Sequence, residues 1–228
     1  KTQIWGFTGT SNDTVTINFC NVNISAIVQK VKSNGEYKYV WSAFLPPTAA
    51  SLNEYEIHAT SSQEQHGIHL SGVLFGDVWV CSGQSNMAYG LNGSNGIALV
   101  HPPVNNSVIE IEDMKNYPYL RLYRSGQIGT HPGQPSGGAE EQLELPPPKD
   151  GGSHRLVQGW SKPCPTDEYK SCRSDFSSMC YFFGRNLQAT LKSRSEDRET
   201  IPIGLIGTYY GGTADELWSS KDALSKCL

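Results

Sequence analysis

The 228 residues suffice for one large domain or two small ones, and a hydrophobic content of 37% is compatible with a packed core. A formal charge of -4, with 18 basic against 22 acidic residues and no dense Lys/Arg run, leaves nothing to neutralise phosphates, so no nucleic-acid partner is expected. No apolar stretch approaches the roughly 20 residues of a membrane span, so none is expected, and Lys1-Thr2-Gln3-Ile4-Trp5 lacks the layout of a signal peptide.

Residues 1–72 alternate with period two in short runs: Val15, Ile17 and Phe19, then Tyr37, Tyr39 and Trp41, then Tyr55, Ile57 and Ala59. Turn residues separate the runs, and Ser33-Asn34-Gly35 is a candidate hairpin turn, so an antiparallel β-sandwich module is predicted. From residue 73 the texture changes. Val73-Leu74-Phe75 and Val78-Trp79-Val80 are continuous apolar runs of the kind buried in a parallel sheet, and Leu120–Tyr123 and Ile201–Ile206 are further such strands. Residues 125–159, rich in Gly, Pro and polar residues, read as a long surface loop. A helix follows, with Phe176, Met179, Cys180, Phe183, Leu187 and Leu191 at helical spacing and Ser174 or Asp175 as its cap. Residues 73–228 therefore read as α/β, with a site expected at the carboxyl ends of the strands.

Four N-glycosylation sequons, at Asn12, Asn23, Asn92 and Asn105, point to the secretory route, as do six cysteines. Cys164 and Cys172 flank a polar loop and could bridge locally, whereas Cys20, Cys81, Cys180 and Cys227 have no partner that sequence assigns. No CxxC pair occurs and none of the six histidines lies in a ligand-like pattern, so no metal is expected.

The sharpest feature is Val78-Trp79-Val80-Cys81-Ser82-Gly83-Gln84-Ser85-Asn86-Met87, a strand running into a small-residue turn that presents one hydroxyl. A nucleophilic serine needs this arrangement, with Oγ projecting into a cleft and its own N–H facing the developing oxyanion. The alternative is an ordinary strand-ending turn, for which Gly, Ser and Asn are the usual residues. A second strand, Ile201–Ile206, runs into Gly207-Thr208-Tyr209-Tyr210-Gly211-Gly212-Thr213 and then a predicted helix, whose first amides can donate to an anion.

Together Gly83-Gln84-Ser85-Asn86-Met87, Pro202–Ile206, Gly211-Gly212-Thr213 and Trp218-Ser219-Ser220 resemble the sialate O-acetylesterase family, a branch of the SGNH hydrolases. Val73–Trp79, Trp160-Ser161-Lys162-Pro163 and Phe176–Arg185 extend the resemblance to the amino-terminal portion of that family. It implies a β-rich module, truncated at its start, before part of a flavodoxin-like α/β/α esterase domain. It also implies Ser85 as nucleophile and the amides of Ser85 and Gly212, or Gly211 if the alignment slips by one, as oxyanion donors. The implied substrate is an O-acetylated sialoglycan and the implied location lysosomal or extracellular, with no cofactor.

The family further requires an Asn-bearing block and an Asp-x-x-His segment, and neither is found. Asp150-Gly151-Gly152-Ser153-His154 has the wrong spacing, and all six histidines read as surface or turn residues. Without a base the serine hydroxyl is a poor nucleophile, so the Asp-x-x-His is expected from outside these residues, in a further segment of the protein or in a companion carboxyl-terminal chain. A catalytically silent glycan-binding or structural homologue, or an acetylesterase for other sugars, is the rival reading.

Overall fold

A computed structural model describes residues 1–33, 36–63, 67–93, 102–124, 160–163, 176–193, 201–209 and 214–226. The chain divides into two compact units, one formed by residues 1–76 with a short return near residue 201, the other by the remainder.

The first unit holds two antiparallel sheets. β1 (Gln3–Thr8), β5 (Glu36–Phe44) and β4 (Ile27–Ser33) form one in the order β1-β5-β4. β3 (Val22–Ser25), β2 (Val15–Phe19), β6 (Ser51–Ser61) and β7 (Ile68–Phe75) form the other in the order β3-β2-β6-β7. Alternation decides which side chains go inward, and Val15, Ile17 and Phe19 of β2 meet Trp41 and Ala43 of β5 in one shared core, as in a sandwich. Of the run predicted on β5, Trp41 is buried but Tyr37 is exposed, stacked under Lys30 Nζ at 4.0 Å. Trp41 lies over β1 so closely that a Cβ at Gly6 would come within 2.6 Å of its ring. β4 and β5 pair up to Ser33↔Glu36, and the hairpin turn predicted at Asn34-Gly35 lies outside the described residues. A second tight hairpin joins β2 to β3 through Cys20 and Asn21, both left-handed, at φ 50° and 63°.

Val73-Leu74-Phe75 belongs to this unit, not to the α/β half in which the sequence pattern put it. Tyr55 pairs with Val73 across β6 and β7, and the Phe75 ring packs on Phe19 and Tyr55. The buried Asp13 carboxylate clamps the end of β1 to that of β6, accepting hydrogen bonds from the hydroxyls of Thr8, Ser61 and Ser62 and from the Ser62 amide. The Thr8 hydroxyl foremost, with the other donors, holds this carboxyl below the usual carboxylate range against the opposing effect of burial.

The second unit is built on a parallel sheet in the order β8-β10-β9, formed by β8 (Asp77–Gly83), β10 (Ile203–Tyr209) and β9 (Leu120–Arg124). Helices α1 (Ser107–Asp113) and α2 (Ser178–Ser193) accompany it, with a short α3 (Lys221–Leu224). β10 continues through Gly207-Thr208-Tyr209, where the sequence suggested that the turn begins. Gly207 pairs with Cys81 of β8, and a Cβ there would come within 2.8 Å of the Tyr209 ring and 3.0 Å of Phe176.

α2 lies flush on one face of the sheet because Gly184 opposes Leu205, where a Cβ would sit 2.5 Å from Leu205 Cδ1. This contact turns the helix by about one residue from the expected face. Cys180, Tyr181, Gly184 and Gln188 point inward, while Met179 and Phe183 are exposed. Leu120, Leu122, Ile203 and Leu205 complete the core beneath, with Leu91, Ile111 and Met114. An Arg185 guanidinium paired with Glu110, and lying 3.6 Å from Asp113, ties α2 to α1.

The other face is open among the described residues. Val78 and Val80, expected to be buried, are 59% and 64% exposed, because β8 is an edge strand with a helix over one side only. Trp160 lies on that open side, against Gly204 and over Tyr123, placed by the pairing of Ser161 with Leu122.

Candidate functional site

The turn that carries Ser85 begins where β8 ends. Gly83 has φ +152°, a conformation L side chains rarely adopt, and a Cβ on it would approach Met87 Cβ to 3.0 Å, so glycine is required on two counts. The chain then coils once. The Ala88 amide donates to the Gln84 carbonyl at 2.8 Å, and the next amide, of Tyr89, reaches Asn86 at 3.4 Å. Gln84, Ser85 and Asn86 at the tip are all exposed, while Met87 turns back against the core. Ser85 is thus held on a short, backbone-fixed loop at the carboxyl end of a parallel strand.

Helix α2 anchors both sides of this loop. Before it, Cys81 is joined by a disulfide to Cys180, a cross-link that spans 99 residues of sequence. After it, the Ser178 amide and hydroxyl both donate to the Tyr89 carbonyl, at 2.8 and 2.7 Å. Ser177 does two things at once: its hydroxyl donates to Met87 Sδ at 3.3 Å and accepts from the Cys180 amide at 3.2 Å, which makes it the helix cap. The predicted caps Ser174 and Asp175 lie outside the described residues. Sequence reading missed both Ser177 and the disulfide. A Ser-Ser pair immediately before the helical run was the available signal for the former; for the latter six cysteines allow too many pairings.

Beside the Ser85 strand runs β10, with Gly207, Thr208 and Tyr209 in register with Cys81, Ser82 and Gly83. The two strands therefore end side by side. Gly211 and Gly212, the predicted donors, lie outside the described residues, as do His66, His101, His131, His154, Cys164, Cys172 and Cys227. In consequence the described residues of the second unit include no histidine. From Asp215 to Trp218 the chain makes a 3-10 turn where a helix is predicted. Asn12, Asn23, Asn92 and Asn105, the four sequon positions, are all exposed.

No protein-family model matches the chain. Sialate O-acetylesterase of Mus musculus is 31% identical to it over 226 residues, 98% of the chain. The Rattus norvegicus and Homo sapiens enzymes of the same name give 32% and 31% over the same length. Nearly the whole chain is thus similar to the sialate O-acetylesterases. It spans about a third of their length, 35% for the mouse protein. Among solved structures, a carbohydrate acetylesterase from Xanthomonas citri superposes with a TM-score of 0.58 at 22% identity, over 98% of this chain and 39% of that one. That likeness carries the fold: an antiparallel β module together with part of an α/β domain of the kind found in that acetylesterase. The resemblance to the sialate O-acetylesterases, first read from the Ser85 and Gly211-Gly212 motifs, therefore extends through both units.

Proposed function

We propose that this chain supplies the nucleophile of a carbohydrate O-acetylesterase that removes O-acetyl groups from sialic acids. The observation that carries the reading is the placement of Ser85, exposed on a glycine-dependent turn at the carboxyl end of a parallel strand, in a chain similar to sialate O-acetylesterases over 98% of its length. Ser85 Oγ attacks the acetyl carbonyl, the sugar oxygen leaves as a hydroxyl, and water then releases acetate from the acetyl-serine. The Ser85 amide and that of Gly212, with Gly211 as the alternative, stabilise the oxyanion of each tetrahedral intermediate. Tyr209, two residues before Gly211, is in register with Gly83, two residues before Ser85.

The general base is the part this chain does not supply. No Asp stands three residues before any His in the sequence, and the described part of the second unit has no histidine, so the proton is taken by an Asp-x-x-His of polypeptide outside these residues. The Cys81–Cys180 disulfide and four exposed sequons support a secreted or lysosomal glycoprotein.

In the complete protein, Ser85→Ala abolishes acetate release from O-acetylated sialoglycans, and Gly212→Pro, which deletes an oxyanion donor, lowers it by roughly 100- to 1,000-fold. An active-site fluorophosphonate labels Ser85 in the parent protein. Unchanged acetate release in Ser85→Ala removes the assignment, and failure of labelling identifies a catalytically silent glycan-binding relative.

A further inference from the structure

The six histidines show no ligand spacing along the sequence, yet folding brings two of them together with a carboxylate. Glu56 and His58 are two residues apart on β6, so both stand on the face opposite the inward-pointing Ile57. His69 of β7 is the register partner of His58, and the two imidazoles lie parallel, 9° apart in plane with centroids at 4.1 Å. The pairing of β6 with β7 shifts register between Tyr55 and Ile57, at Glu56 itself, and such irregularities re-aim a side chain. Glu56 Oε2 stands 3.5 Å from His58 Nε2 and 3.6 Å from His69 Nε2.

Those separations are long for hydrogen bonds, which for N–H···O cluster at about 2.7–3.2 Å. They match a different geometry. Tetrahedral zinc with bonds of about 2.0–2.2 Å holds neighbouring ligand atoms about 3.3–3.6 Å apart. The three ligand atoms all lie within 4.8 Å of one another, so small rotations of exposed side chains close the remaining edge.

We propose that Glu56, His58 and His69 form a surface site for a divalent transition-metal ion of the zinc class, with water completing the shell. Two imidazoles and one carboxylate suit zinc or copper(II) in preference to calcium or magnesium, which favour all-oxygen shells. The ion would clip β6 to β7 from the solvent side, opposite the core. This site lies in the first unit and is independent of the Ser85 reading.

The test is calorimetric titration of the metal-free, full-length protein with zinc chloride, in parallel with His58→Gln, His69→Gln, the double variant and Glu56→Gln. One ion per chain is expected to bind the parent protein at this site. Each histidine variant should bind it roughly tenfold or more weakly, Glu56→Gln about tenfold more weakly, and the double variant not at all. Zinc should also raise the melting temperature of the parent protein and not of the double variant. Because all three residues are exposed, the variants should keep the parent circular dichroism, and Glu56→Gln, which changes one atom, provides the arm least able to disturb folding. Zinc affinity equal in the parent and the double variant overturns the proposal, since the ion then sits elsewhere, and so does the absence of binding by the parent.

Discussion

The two units bury their cores by different means. In the first, each strand carries its own inward face, and β2 places Val15, Ile17 and Phe19 in the core by alternation alone. In the second, the inner face of the sheet is made by segments far apart in sequence, with Cys81, Leu120, Phe176 and Leu205 meeting in one cluster. Each strand of the sandwich thus carries the pattern of its own inward face, whereas the parallel sheet needs distant chain to cover it. On the side of Val78 and Val80 the described residues supply little beyond Trp160. The proposed nucleophile belongs to the unit that depends on distant chain.

The cross-link between β8 and α2 is where that dependence is strongest. Its loop of 99 residues makes its removal costly, about 4 to 5 kcal/mol on chain-entropy arguments. Paired Cys81→Ser and Cys180→Ser substitutions should therefore accelerate amide hydrogen exchange throughout β8, β10 and α2 while leaving β1–β7 protected. An equal loss of protection in both units removes the distinction drawn between them.

The converse break is at Asp13. Asp13→Ala strands the hydroxyls of Thr8, Ser61 and Ser62 and should cost about 2 to 4 kcal/mol, read as lost exchange protection in β1, β2 and β6 with β8–β10 unaffected. It also has a pH signature. The folded carboxyl titrates below its unfolded value, so its contribution is complete above about pH 4 and is lost as pH falls further. Parent protein should lose first-unit stability over that acid range, and Asp13→Ala should show a flatter acid limb; identical limbs contradict the clamp.

The same contrast explains what could be read beforehand. Period-two runs revealed the sandwich because the code is local, and the Ser85 turn was visible because a strand ending in Gly83-Gln84-Ser85 is also a local pattern. Reading failed where a partner element decides. The inward face of α2 depends on Gly184 meeting Leu205, which displaced Met179 and Phe183 outward against an otherwise good helical pattern. Val73–Phe75 looked like a parallel strand because its apolar run carries no mark of the β6 partner that claims it. His58 and His69 became neighbours only through strand register, which residue spacing does not encode. Of the proposed site, the nucleophile was legible and its anchoring by Ser177 and Cys180 was not.

Two smaller substitutions sharpen the comparison at the sheet itself. Gly184→Ala inserts a methyl 2.5 Å from Leu205 Cδ1 and 2.9 Å from Cδ2, so α2 must lift or Leu205 must leave its rotamer, at about 1 to 3 kcal/mol in thermal or denaturant unfolding. Val80→Lys probes the opposite face, where the side chain is 64% exposed. In the 228-residue chain it should change stability by no more than about 0.5 kcal/mol, since an exposed substitution removes little buried surface. In the complete protein the same change becomes diagnostic. If further polypeptide covers the Val78 and Val80 face, a lysine there must be desolvated, and the cost should exceed about 2 kcal/mol. A small effect in both contexts would mean that this face stays open to solvent.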